Sequence, residues 1–285
     1  DVFTLLCQRP ELAVEDYFST LKKPFPVEIF ECLDAKGWPA VQDTRKIKYS
    51  LNETWLVRFE KPLPVDGGPK SDMTGAFVQI IGAELVDKEV FHASARNGVA
   101  TITKALEIAS AAGIRVPRVL ASGHGKVSRG ALQGLDFIVY EKITTDTVDE
   151  DMEGGDGKGV KASRKGWKPI ESDIWNKLGA FNLKDVDTSP LARFECVYDQ
   201  LKYLSDLATQ AGALDVSAGL QSLTADFRNK WSVQSVCPTL VHLDLHPFNT
   251  LCSRNGDRWQ LDAVIDWESA FVGDARLATA HDEPW

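Results

Sequence analysis

The chain has 285 residues, 44% of them hydrophobic and 26% charged, which is ordinary globular composition and long enough for one large domain or two lobes. A net charge of −9 excludes a general nucleic-acid binder, which needs a basic footprint. No apolar run reaches membrane-spanning length and no signal-peptide layout opens the chain; the five scattered cysteines form no C-x-x-C pair, so a reduced, cytoplasmic protein is expected.

In chain order, residues 10–21 read as a short helix with Pro10 at its start. Residues 47–51, an Asn52-Glu53 turn and residues 54–59 read as a β-hairpin, and residues 61–74, rich in Gly, Pro and Asp, as a loop. Val99, Ile102, Leu106 and Ala109 recur at helical spacing, which predicts a helix over 97–112 with one buried face and Gly113 at its C-terminal cap. Residues 116–120 and 136–141 are predicted strands. The polar, Gly-rich segment 144–172 is expected to be a flexible loop, and helical patterns follow at 173–181, 194–208 and 217–231. No internal repeat is present.

The densest chemistry lies near the C-terminus, where His242, Asp244 and Asn249 form H-x-D-x-x-x-x-N and an apolar run then ends in Asp266-Trp267-Glu268. Mg-dependent phosphoryl transfer needs such a set: one carboxylate for the acceptor hydroxyl, and an amide and a second carboxylate for metal on the nucleotide phosphates. Asn255-Gly256 is a strong two-residue hairpin signal, because a type I′ turn needs positive φ at both positions. Folding back there returns Asp266 to the neighbourhood of Asn249, so Asp244, Asn249 and Asp266 can converge. Three oxygen-bearing groups around one point suit Mg²⁺.

Other readings compete. His242, Asp244 and His246 alternate, so on a strand they would share a face and could form the transition-metal site of a hydrolase. Gly154–Gly159 suggests a phosphate loop, but Gly159 follows Lys158 where Ser or Thr belongs and Met152 stands where the first Gly belongs, so a solvated linker is the better reading. Ser122-Gly123-His124-Gly125 has no nucleophile elbow around it and reads as a turn.

The segments HLDLHPFN and VIDWE resemble the aminoglycoside phosphotransferase and choline kinase superfamily, most closely its fungal-type branch. The resemblance runs from about residue 40 to the end. It implies an α+β, two-lobed, protein-kinase-like fold: a small antiparallel-sheet lobe through residue 141, after an N-terminal extension, and a mainly helical large lobe over 142–285. It implies an ATP- and Mg²⁺-dependent kinase that phosphorylates a hydroxyl of a small-molecule acceptor. Asp244 would be the catalytic base, His242 a brace for its loop, and Asn249 and Asp266 the metal ligands. WLVRF resembles the strand that bears the phosphate-contacting cation, here Arg58. DFIVYEKI resembles the last small-lobe strand and hinge, where backbone groups near Glu141 and Ile143 would meet the adenine.

Three departures from the family pattern leave room for a repurposed scaffold that binds a ligand or partner without transferring phosphate. The stretch expected over the phosphates, about 34–41, carries little Gly. The buried helix opens Asn97-Gly98-Val99 where relatives carry Glu to pair with the cation; Glu89 is the better substitute and Glu107 points elsewhere. The chain also stops at Trp285, where relatives commonly continue with helices that shape the acceptor pocket.

Overall fold

The computed structural model describes residues 37–46, 53–63, 74–81, 98–123, 136–143, 158–210, 214–230, 238–246, 249–255 and 258–275. The helix expected at 10–21, the strand expected at 47–51 and Glu89 lie outside them. The described residues fall into two compact units, one within 6–93 and 118–142 and the other within 94–117 and 143–285.

The first unit is an antiparallel sheet of five strands in the order β1-β2-β3-β5-β4: β1 Val41–Lys46, β2 Glu53–Phe59, β3 Gly75–Ile81, β4 Val119–Gly123 and β5 Asp136–Glu141. Alternation with period two puts Trp55, Val57 and Phe59 of β2, Ala76, Val78 and Ile80 of β3, and Phe137 and Val139 of β5 on one buried face. Trp38 closes one end of this core, edge-on to Phe59 with ring centres 5.7 Å apart. Each large apolar side chain so buried contributes about 1.5–3 kcal/mol.

The sheet differs from the sequence reading at its start. The partner of β2 is Val41–Lys46, paired Thr44 to Val57 and Lys46 to Trp55. That strand reads VQDTRK, mostly polar and exposed, as an edge strand tolerates. It therefore gives no apolar signal. β4 also begins three residues later than the predicted 116–120, whereas β5 begins and ends where predicted.

The second unit holds α1 Val99–Ala111, α2 Lys158–Ala180, α3 Val197–Gln210, α4 Leu214–Lys230, and the strands β6 Thr239–Val241, β7 Thr250–Asn255, β8 Arg258–Val264 and β9 Phe271–Gly273. Helix α2 starts at Lys158, inside the segment expected to be a loop. Gly159, Gly166 and Pro169 disguise it, yet Ile170, Ile174 and Leu178 are spaced at four residues and all are buried. Helices α3 and α4 form an antiparallel pair whose contact is partly polar: the Ser217 hydroxyl lies 2.6 Å from Thr209 Oγ1 and 3.2 Å from Ser205 Oγ.

Helix α1 fixes two glycines. Gly98 is its N-cap, with φ −68° and ψ 171°, rather than an interior residue, so it carries no interior-helix penalty. At the other end the Gly113 amide donates to the Ser110 carbonyl and the Ile114 amide to the Ala109 carbonyl, a Schellman motif. Gly113 has φ +81°, where a Cβ is strained, and Ile114 is buried behind it. Gly113→Ala is expected to lower unfolding free energy by about 1 kcal/mol in urea titration, although no atom would obstruct the new methyl group within 4 Å.

Candidate active site

Strand β6 ends at Val241, and the chain then turns sharply. Leu243 has φ 68°, a left-handed conformation rare for Leu, so residues 242–246 do not form a strand and their alternation does not line up one face. Among the described residues no three His, Cys, Asp or Glu side chains are placed to hold a metal, which removes the basis of the His242-Asp244-His246 reading.

Asn249 draws this loop together. Its Nδ2 donates to the Asp244 carbonyl at 2.9 Å and to Asp244 Oδ2 at 3.1 Å, and its backbone amide donates to the His246 carbonyl at 3.0 Å. An amide that gives its nitrogen to Asp244 keeps its oxygen for another partner. The other Asp244 oxygen, Oδ1, stands 3.5 Å from His246 Nε2. Asn249 is buried, while the Asp244 side chain keeps 37% of its surface exposed, so a substrate can reach it.

The hairpin β7–β8 brings Asp266 to the same place. Thr250 pairs with Val264, and the Ile265 amide donates to the Asn249 carbonyl at 2.9 Å. Asn255 pairs with Arg258, so Asn255 belongs to strand β7. Asp266 follows at φ 67°, where a short polar side chain is tolerated, as the N-cap residue of the 3₁₀ turn Trp267–Ser269.

His242 ties both halves. The ring is fully buried, packs at 4.6 Å on Trp267, and lies with Nε2 2.8 Å from the Ile265 carbonyl. A nitrogen facing a carbonyl must donate, so the neutral ring carries its proton on Nε2. Burial pushes its pKa down to about 4, although the Ile265 bond and the Asp244 charge pull the other way. The peptide groups of Ile265 thus hold the Asp244 loop on one side and the Asn249 strand on the other. Sequence reading missed this hub, because main-chain groups leave no trace in residue identity.

In the sheet unit, Arg58 is exposed on β2, opposite Asp43 and Gly75. Protein kinases carry the phosphate-binding lysine on the third strand. Here the third strand is β3, GAFVQII, with neither Lys nor Arg; Gln79 accepts a hydrogen bond from the Tyr140 hydroxyl at 3.0 Å. Arg58 thus lies on the second strand of the sheet, as the predicted hairpin also had it. Glu107 is bound to Lys104 at 2.7 Å on the exposed side of α1.

Glu141 ends β5 and Ile143 lies buried two residues on. The Glu141 amide donates to the Arg118 carbonyl at 2.9 Å. Its carboxylate accepts from the Arg118 amide at 3.1 Å and from Arg118 Nε at 3.0 Å. A cavity of about 450 Å³ beside α3 and α4, lined by Tyr198, Lys202, Ser205, Asp206, Gln221 and Thr224, includes none of the motif residues.

The sequence profile of the phosphotransferase enzyme family matches residues 82–277, more than half of the chain. The chain belongs to that family. Solved structures agree on the protein-kinase-like α+β fold. A Ralstonia eutropha JMP134 protein classed as an aminoglycoside phosphotransferase superposes at a TM-score of 0.53 and 12% identity, over 88% of this chain and 67% of its own. A point variant of aminoglycoside 2′-phosphotransferase-IIIa in its GDP complex gives 0.55 and 14%, over 87% and 72%. APH(2″)-IIIa with GDP and kanamycin gives 0.53 and 13%, over 88% and 75%. No curated protein sequence matches the chain. Among the described residues no helix is long and apolar enough to cross a membrane.

Proposed function

We infer that the protein transfers the γ-phosphoryl group of ATP to a hydroxyl of a small molecule. The observation that carries this is the closed set of contacts joining Asp244, Asn249 and Ile265, with Asp266 next in the chain. The donor set fits Mg²⁺: with Nδ2 turned to Asp244, Asn249 offers an amide oxygen, and Asp266 adds a carboxylate, both hard ligands. Bound there, the metal would neutralise charge on the nucleotide phosphates.

Asp244 accepts the proton of the acceptor hydroxyl as the acceptor oxygen bonds to the γ-phosphorus and ADP departs with the bridging oxygen. Asn249 holds the Asp244 carboxylate in position for this, and His242 braces the loop from beneath. Glu141 and Ile143 read the purine through their backbone. Arg58 would steady the phosphates together with the metal that Asn249 and Asp266 would hold, although β3 itself carries neither Lys nor Arg.

The lack of Lys or Arg on β3 also favours a second reading, a scaffold that has kept the fold and lost transfer. Calorimetry with Mg·ATP separates the two. Saturable binding that disappears in Asp266→Ala is the expected result and justifies a screen of hydroxyl-bearing metabolites, amine-bearing ones first given the chain's net charge of −9. Absence of binding at millimolar nucleotide would sink the kinase reading.

A further inference from the structure

Arg118 and Glu141 face each other where β4 and β5 meet, and their pairing is irregular. In a hydrogen-bonded antiparallel pair the two residues exchange both N–H···O bonds. Here only one is made between backbones: the Glu141 amide donates to the Arg118 carbonyl. The return bond is diverted. The Arg118 amide donates to Glu141 Oε1, and Arg118 Nε holds Oε2. The carboxylate has taken the donor that the Glu141 carbonyl would otherwise receive.

A carbonyl released in this way can accept from water or from a ligand that displaces it. We propose that the Glu141 carboxylate, by occupying the Arg118 amide, keeps the Glu141 carbonyl available for the 6-amino group of adenine and so sets a preference for ATP over 6-oxopurine nucleotides. A 6-amino group can donate to that carbonyl; a 6-oxo group presents oxygen to oxygen. This rests on the nucleotide reading above and adds the choice of purine. Glu141 is then a positioning residue that works through its own main chain. Arg118 is its partner, fixing the carboxylate by a forked grip that leaves it little freedom to turn away.

The test compares ATP with inosine triphosphate, which differs in carrying a 6-oxo in place of the 6-amino group. Affinities are measured by calorimetry with Mg²⁺ for the intact protein, Glu141→Ala and Glu141→Gln, with Mg-tripolyphosphate as a ligand that has no base. The intact protein is expected to bind ATP about tenfold more tightly than inosine triphosphate, the effect of exchanging one hydrogen bond for an oxygen–oxygen contact. In Glu141→Ala the Arg118 amide is free to return to the carbonyl, and the ratio should fall to within about twofold of unity. Glu141→Gln retains an Oε1 to accept from the Arg118 amide and should keep most of the preference. Tripolyphosphate affinity should be the same in all three, which a general loss of folding would not allow. Equal affinity of the intact protein for both nucleotides overturns the proposal and leaves nucleotide binding standing. An unchanged ratio in Glu141→Ala, or a collapse in Glu141→Gln as well, also overturns it. Failure of the intact protein to bind either nucleotide removes the nucleotide reading itself, and the proposal with it.

Discussion

Asp244→Asn is expected to cut phosphoryl transfer by about 10²- to 10⁴-fold while Mg·ATP affinity stays within about twofold. Asparagine is the informative replacement because of what Asn249 does. Its Nδ2 donates to Asp244 Oδ2, and a side-chain amide oxygen at 244 can accept that bond unchanged. The loop therefore keeps its shape, and the loss is confined to a group that can no longer take a proton. The proposed metal ligands are untouched, so nucleotide binding should persist; Asp266→Ala should lose it. The assay is single-turnover transfer of labelled γ-phosphate to the acceptor found by the screen. If Asp244→Asn kept more than about a tenth of the rate, Asp244 would not be the base.

The second large effect is on stability in acid. His242 is buried and neutral, with its pKa pushed down to about 4 from an ordinary 6.5. Between those values the unfolded chain binds a proton that the folded chain refuses, so stability falls as pH falls. The contribution is complete above pH 6.5 and is lost progressively toward pH 4. The difference between 6.5 and about 4 corresponds to about 3 kcal/mol, of which about 2 kcal/mol has gone by pH 5. Urea titrations at pH 7.5 and pH 5 on the intact protein and on His242→Gln would read this. The variant should be less stable at pH 7.5, having lost the packing on Trp267, but should show about 2 kcal/mol less pH dependence. Identical pH dependence in both would mean that His242 does not titrate in this range.

Much of the centre was legible because its spacing is rigid. A two-strand hairpin between Asn249 and Asp266 has few ways to close, so the residue count alone predicted their approach. β5 was legible for a similar reason: its apolar run is bounded on both sides by polar segments. β1 was not, because an exposed edge strand needs no apolar residue to stay paired. α2 was hidden by residues that weaken a helix locally, and burial of Ile170, Ile174 and Leu178 outweighs them. Nothing in the sequence could show that a carboxylate at 141 takes an amide from 118, since each residue alone reads as an ordinary surface charge.

The peptide groups of Ile265 accept from the His242 ring and donate to the Asn249 carbonyl, so at position 265 both bonds are made by the main chain. The coupling between the two halves of the centre is therefore indifferent to which side chain stands at 265. Point substitutions there can drift through generations without cutting it, with one exception: proline, which lacks the amide hydrogen. At position 265 the link between the two halves is thus invisible to a comparison of sequences, and on the other side it hangs on the single ring of His242.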